Sequence, residues 1–221
     1  MTRVELRMST AAEILDKMEP GETVDELVVD CMAFTICSEC GHVDEEEQTL
    51  TNHPCQKCGV IVDGRRILFS TEERLLEMIF EAYQSKKPNE VCVLLFCALL
   101  EQHLVNLLKS RCLRLNIAWP VMKLLLEGYG KVDERLKLFE RLTGVKVCHA
   151  LAGKPEANVF KTYHSLTTKR NGIAHGLQGA KYAITKENIK AAVNSAADSF
   201  SCFAYLHHNF CAVDSPPLPD S

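Results

Sequence analysis

A mainly α-helical protein with a small cysteine-bearing β module near its N-terminus is what this sequence predicts, and three observations predict it. From residue 70 onward, apolar side chains recur at helical spacing in segments bounded by Gly, Pro or capping residues. Between residues 33 and 69 the pattern changes to short strand-like runs set around two Cys-x-x-Cys pairs. The 221 residues are 47% apolar, enough for one core-forming domain and a small appendage. The expected organisation is an N-terminal helical segment over 1–32, the β module over 33–69, the main helical domain over 70–213, and a disordered tail over 214–221 carrying Pro216, Pro217 and Pro219.

The elements follow in order. Thr10-Ala11-Ala12-Glu13 and Thr23-Val24-Asp25-Glu26 each match a capping box. Pro20-Gly21 separates the two helices, and the second runs from Val24 to about Met32. Their packing partner is left open: the β module, the main domain or another protein. Strands are expected at Ala33–Ile36, Gln48–Thr51, Val60–Val62 and Arg66–Phe69, with Asp63-Gly64 as a hairpin turn. Ser70-Thr71-Glu72-Glu73 caps a helix reaching about Ser85, and Lys86-Lys87-Pro88 breaks it. Asn89–Lys109 is a long helix, apolar over so much of its surface that it must be central or covered by a partner.

Glu101, Gln102 and His103 interrupt that helix. Glu101 and His103 either line a cleft or are satisfied polar groups of a buried helix. A shorter helix follows Pro120, another spans about Val132–Leu142, and a third begins near Pro155. Trp119-Pro120 reads as a loop anchor rather than a base-stacking platform. The last helix, capped near Thr185, runs from Lys186 to about His208 with Ile189, Ala192, Val193, Ala196, Phe200, Phe203 and Leu206 on one face.

Cys37-Ser38-Glu39-Cys40-Gly41 and Cys55-Gln56-Lys57-Cys58-Gly59 are two knuckles with fourteen residues between them. Tetrahedral Zn2+ takes four thiolates at about 2.3 Å, and each knuckle supplies two, its glycine letting backbone amides turn towards the sulfurs. Cys37, Cys40, Cys55 and Cys58 are therefore expected to hold one structural Zn2+ per chain in a zinc ribbon. His42 and His53 flank the knuckles and are the alternative ligands. Four thiolates leave no open coordination position, so no catalytic metal is expected. The other seven of the eleven cysteines are odd in number and scattered, as small hydrophobes are in a reducing compartment.

Met1–Lys17 is charged throughout and lacks the apolar core of a secretory signal, and Val91–Leu100 is too short to span a bilayer. A cytoplasmic protein with no membrane partner is expected. Glycine-rich phosphate loops and Gly-x-Ser-x-Gly elbows are missing from the sequence, which removes the enzyme classes built on them. Charge is uneven beneath the net −4. Residues 1–69 carry six basic against fourteen acidic side chains, and residues 70–221 nineteen against fifteen. A phosphate-binding surface is thus expected only on the helical domain, and the run Asp44-Glu45-Glu46-Glu47 disfavours one on the ribbon.

Arg170-Asn171-Gly172-Ile173-Ala174-His175-Gly176 lies between two helical patterns. Arginine clamps phosphate through paired hydrogen bonds, and a histidine with a free pKa of about 6.5 takes or gives a proton near neutrality. On an unbroken helix the two side chains point about 140° apart. Gly172 can relax the helix, and fraying there would swing both towards one cleft. Gly176 suits the position just past the helix end. A simpler role for Arg170-Asn171 is to cap the last carbonyls of the helix. Lys161, His164, Lys169 and Lys181 crowd around the motif, either as RNA contacts or as a solvated basic face.

This cluster resembles the Arg-x4-6-His motif of the HEPN superfamily of helical ribonuclease-like domains, including the polar residue after the arginine. The order of helix, motif, short loop and final long helix over roughly residues 70–210 is similar to that of a HEPN domain. The resemblance implies a HEPN-like helical bundle, a homodimer formed through it, and two motifs lining one cleft. It implies metal-independent RNA cleavage by the ribose 2′-hydroxyl, in a toxin or antiviral defence role. His175 would be the general acid or base, Arg170 would stabilise the phosphorane-like transition state, and Asn171 would orient the arginine or the phosphate. RNA is the implied partner, with an antitoxin or other protein as a possible second. Members of the superfamily also keep the fold without hydrolysis. The alternative is therefore a non-catalytic dimerisation or nucleic-acid-binding module whose ribbon contacts a partner protein.

Overall fold

A computed structural model describes residues 10–19, 22–32, 35–36, 43–44, 51–54, 59–63, 70–85, 90–154 and 156–211. The protein is mainly α-helical. The helices are α1 (Ala11–Leu15), α2 (Asp25–Met32), α3 (Ser70–Gln84), α4 (Val91–Arg114), α5 (Trp119–Gly128), α6 (Val132–Thr143), α7 (Val147–Ala150), α8 (Ala157–Ala174) and α9 (Lys186–Cys211), with a 3-10 turn at Ala180–Tyr182. Among the described residues four short strands, β1 (Thr35–Ile36), β2 (Val43–Asp44), β3 (Thr51–Pro54) and β4 (Ile61–Asp63), form two antiparallel pairs. Ile36 pairs with Val43 in β1–β2, and Pro54 pairs with Ile61 in β3–β4.

Several boundaries depart from expectation. Of the strand expected at Gln48–Thr51 only Thr51 is among the described residues, where it opens a strand over Thr51–Pro54; Val43–Asp44 pairs without having been foreseen. Two-residue strands are too short to show the alternation by which a strand is recognised. Residue 64 and the strand expected at Arg66–Phe69 lie outside the described residues, as does the tail over 214–221. Trp119-Pro120 is no loop anchor: it opens α5, with the proline in the first turn. A proline there forfeits nothing, because the first helical N–H groups have no acceptor in any case.

The chain divides into two compact units. Met1–Met32, Phe69–Gln102 and Lys154–Phe200 make the first; Ala33–Leu68, His103–Gly153 and Ser201–Ser221 make the second. In the first, α1 and α2 pack on α3. Helix α1 starts with the expected capping box: the Thr10 hydroxyl accepts from the Glu13 backbone, and the Thr10 N–H donates to the Glu13 carboxylate at 2.9 Å. Past its end, Asp16 accepts from the Tyr83 hydroxyl at 2.9 Å and from Lys190 at 2.6 Å, and the Ala12 N–H donates to Asn194 at 2.8 Å. These bonds resolve where the N-terminal helices pack. Leu76, Ile79, Phe80, Phe96, Leu99, Leu100, Val159, Val193 and Phe200 are fully buried around them, each worth about 1.5–3 kcal/mol of removed apolar surface.

In the second unit, Arg111 of α4 does the work of two helix caps. Its Nε and Nη2 donate to the Leu142 carbonyl at 3.0 and 2.8 Å, and its Nη1 donates to the Phe210 carbonyl at 3.0 Å. Those carbonyls close α6 and α9, where a helix has no donors of its own making left to satisfy them. Phe139 and Phe210 meet edge-to-face at 5.4 Å beside this junction. Helix α4 runs for 24 residues and ends at Arg114, beyond the Lys109 expected from the sequence. By length and composition α4 is long and apolar enough to cross a membrane, yet 56% of its most apolar stretch is buried within the protein, as in the core helix of a globule.

His103 is buried and stacks on Phe203 with ring centroids 4.6 Å apart. Burial pushes its pKa from 6.5 down to about 3, so the ring is neutral in the fold. The unfolded chain therefore binds more protons between those two values, and stability present above pH 6.5 is lost as pH falls towards 3. The expected slope from this group is about 1.4 kcal/mol per pH unit. Urea unfolding across that range should show His103→Phe, which keeps the stack, losing a corresponding part of the acid sensitivity. His207 and His208, also depressed by burial, leave a residual slope. An unchanged acid profile in the variant would refute the assignment.

Candidate functional site

The candidate site is built on α8. Val159, Tyr163 and Leu166 recur at helical spacing and are buried, and Arg170 is the next position on that stripe. The arginine is thus carried inward by the register of an apolar face. It meets Glu101, the carboxylate that interrupts α4: Arg170 Nη2 donates to Glu101 Oε1 at 3.3 Å, and the Tyr163 hydroxyl donates to the same oxygen at 3.4 Å. Arg170 Nη1 lies 3.4 Å from the Asn171 side-chain oxygen. Both charged side chains are about a third exposed, 36% and 30%, so screening by solvent holds the pair to about 1 kcal/mol or less.

Burial and the nearby Glu101 push the Tyr163 hydroxyl up to about 12, which keeps it a hydrogen-bond donor at any physiological pH. Cys97 is buried behind the pair, and burial above all pushes its thiol up to about 12, with Arg170 opposing and Glu101 adding. It is inert as a nucleophile. Sequence reading missed Tyr163 as a member of this cluster, although it lies seven residues before Arg170 on the same face. Of the two polar candidates in α4, Glu101 joins the motif, whereas His103 is a stacked core residue.

The helix does not fray at Gly172. It continues to Ala174, with His175 as its C-cap. Gly176 takes a left-handed conformation (φ 62°), its N–H donates to the Ile173 carbonyl at 3.2 Å, and the Leu177 N–H donates to the Gly172 carbonyl at 2.8 Å. This paired arrangement satisfies the Gly172 and Ile173 carbonyls from the backbone alone, so Arg170 is not needed to cap them. His175 is exposed, and it leaves α8 about 140° from Arg170. The swing of both side chains towards one cleft within a single chain, expected from fraying, is therefore not seen. Gly172 has a different purpose. A Cβ there would stand 2.6 Å from the Cβ of Tyr182, so only glycine lets the 3-10 turn lie against the helix.

The flanking cations spread widely. Lys161 is exposed and 3.4 Å from the Asn158 side-chain oxygen, and His164 is exposed with its ring edge-to-face to Tyr163. Lys169 donates to the Ala183 carbonyl, and Lys181 sits 4.8 Å from the centre of the Tyr182 ring. Helical geometry sets Lys161, His164 and Lys169 on sectors of α8 away from Arg170. Among the described residues no group of three or more His, Cys, Asp or Glu side chains is placed to hold a metal ion. Cys37, Cys40, Cys55, Cys58 and His42 lie outside the described residues, and so does the side chain of His53. No protein-family model, curated protein or solved structure matches the chain significantly.

Replacing Gly172 by alanine is expected to destabilise the protein by about 1–3 kcal/mol despite alanine's better helix propensity, because the tyrosine stem must move. Thermal denaturation would read this as a lowered midpoint. Gly172→Ala should cost less in a Tyr182→Gly background, where the opposing Cβ is gone, than in wild type; a single variant as stable as wild type would refute the close-approach account.

Proposed function

We propose that this chain is a metal-independent endoribonuclease of the HEPN type, acting as a homodimer. The observation that carries the reading is the disposition of Arg170 and His175 on α8. One is held on the packed stripe with Asn171, Tyr163 and Glu101 around it; the other stands exposed at the glycine-capped end five residues later. Since one chain turns the two side chains apart, a cleft using both draws them from two copies. In such a cleft the ribose 2′-oxygen attacks phosphorus and the bond to the 5′-oxygen breaks. His175 moves the proton, and Arg170 meets the charge that gathers on the phosphoryl oxygens. Glu101 holds the guanidinium in place and must yield when a phosphate arrives. A second reading has its own observation: an arginine already engaged by a carboxylate suits a module that dimerises or binds nucleic acid without cleaving it, its ribbon contacting a partner protein.

The test is incubation of single-stranded and structured RNA with the protein in excess EDTA, beside Arg170→Ala, His175→Ala and Glu101→Gln. Products ending in 2′,3′-cyclic phosphate are expected from wild type, with each alanine variant slower by about 100- to 10,000-fold. Glu101→Gln, which frees the guanidinium, should lower KM for RNA. Cleavage that survives both alanine substitutions would overturn the reading. Binding without cleavage by the folded dimer would favour the second one.

The reading extends to a four-cysteine zinc ribbon over residues 33–69. Each Cys-x-x-Cys falls between two paired strands, Cys37 and Cys40 between β1 and β2, Cys55 and Cys58 between β3 and β4. Gly59, directly after the second knuckle, takes the left-handed conformation (φ 75°) that a knuckle turn uses. The metal would supply structure rather than chemistry. Metal analysis of the purified protein should find about one zinc per chain, lowered by serine at Cys37 or Cys55. A metal-free protein that folds normally would refute the ribbon.

A further inference from the structure

We infer that a second RNA contact lies on the outer face of α5: a groove that takes a base of single-stranded RNA on Trp119 and the neighbouring phosphates on Lys109, Lys123 and Arg135. The inference rests on the RNA-directed reading above and adds a site to it. The groove has a volume of about 360 Å3 and is lined by Val105 and Lys109 of α4, Trp119, Lys123, Leu126 and Glu127 of α5, Gly130 of the loop that follows, and Arg135 of α6. Trp119 is 62% exposed, an unusual position for an indole, and it is the chain's only tryptophan.

Helical spacing explains the assembly. Trp119, Lys123, Leu126 and Glu127 fall within about 100° of one another around α5, so one face presents a flat ring beside a cation. The charges that line the groove with the ring are three cations and a single carboxylate. Glu127 lies 3.8 Å from Lys123, both more than half exposed, which leaves the groove a net positive site. Arg135 donates from Nε to the Tyr129 carbonyl at 3.0 Å, which fixes its guanidinium at the rim. An aromatic face among cations is the composition that holds single-stranded nucleic acid: stacking for the base, charge for the backbone.

A protein partner would use a different surface. The exposed aliphatic side chains of α5, Val121 and Leu124, leave the helix about 140–160° from Trp119 and do not line the groove. Charge complementarity therefore selects a polyanion with ring-shaped apolar units over an apolar peptide.

The sole tryptophan makes its own probe. The full chain would be titrated with a fluorescein-labelled uridine oligomer of about twenty nucleotides, following label anisotropy and tryptophan emission together. Emission is expected to be quenched in step with binding. Trp119→Ala should weaken binding roughly five- to hundredfold, and Trp119→Phe should retain most of it. Lys109→Ala should lower the slope of log affinity against log salt by about 0.7. Unquenched emission with unchanged affinity of Trp119→Ala, while the oligomer is still bound or cleaved, would overturn the groove and leave the ribonuclease reading standing. Absence of any RNA binding by the folded wild type would remove the RNA reading and the groove with it. Equal quenching by polyglutamate would show a general anion site and overturn base stacking.

Discussion

The apolar stripe of α8 sets the geometry of everything around the motif, and Glu101 is the carboxylate to which it delivers Arg170. Burying Val159, Tyr163 and Leu166 is worth about 1.5–3 kcal/mol each, whereas Glu101 keeps 30% of its side chain exposed. Arg170 and Tyr163 supply the donors from one face of α8. Burial of the Val159, Tyr163 and Leu166 stripe turns that face inward and fixes the rotation of the helix about its own axis. Once that rotation is fixed, the outward direction of His175 follows from five residues of helical rise and turn. The pair itself is about a third exposed and adds little to stability; the stripe supplies both the energy and the register.

For the proposed ribonuclease, that register separates two chemical demands. A group that stabilises charge works best when its position is held before the substrate arrives, and Arg170 sits in a bonded cluster. In the proposed chemistry a group that moves protons must reach the substrate, and His175 stands at an exposed helix end where Gly176 and Leu177 already bond the Ile173 and Gly172 carbonyls. The same helix thus provides a fixed end and an open end.

The long elements were legible because their periodicity is local. The helices α4, α6, α8 and α9 fall close to where apolar spacing put them, and the Thr10 capping box forms as its four residues suggest. What stayed hidden depends on residues far away in the chain. Gly172 looked like a weak point of its helix, and only the approach of Tyr182 reveals why no side chain fits there. The Arg170–Glu101 contact joins positions 69 apart, and Arg111 reaches carbonyls 31 and 99 residues distant. Spacing within a helix says which side a residue faces, not which partner it will find. Trp119-Pro120 failed for another reason: proline signals a break in a helix interior, but in a first turn it is a normal residue. The two-residue strands carry too little pattern to be read at all.

The three hydrogen bonds of Arg111 have a mechanical consequence. The last turn of a C-terminal helix ordinarily frays, opening and closing many times for each global unfolding event. Here the carbonyl of Phe210, one residue from the end of α9, is gripped by a guanidinium that also holds the end of α6. Pulling on α9 from beyond Cys211 would load that fork and the body of α4 behind it, instead of peeling the helix turn by turn. Its terminus is an anchor point, able to transmit tension into the core.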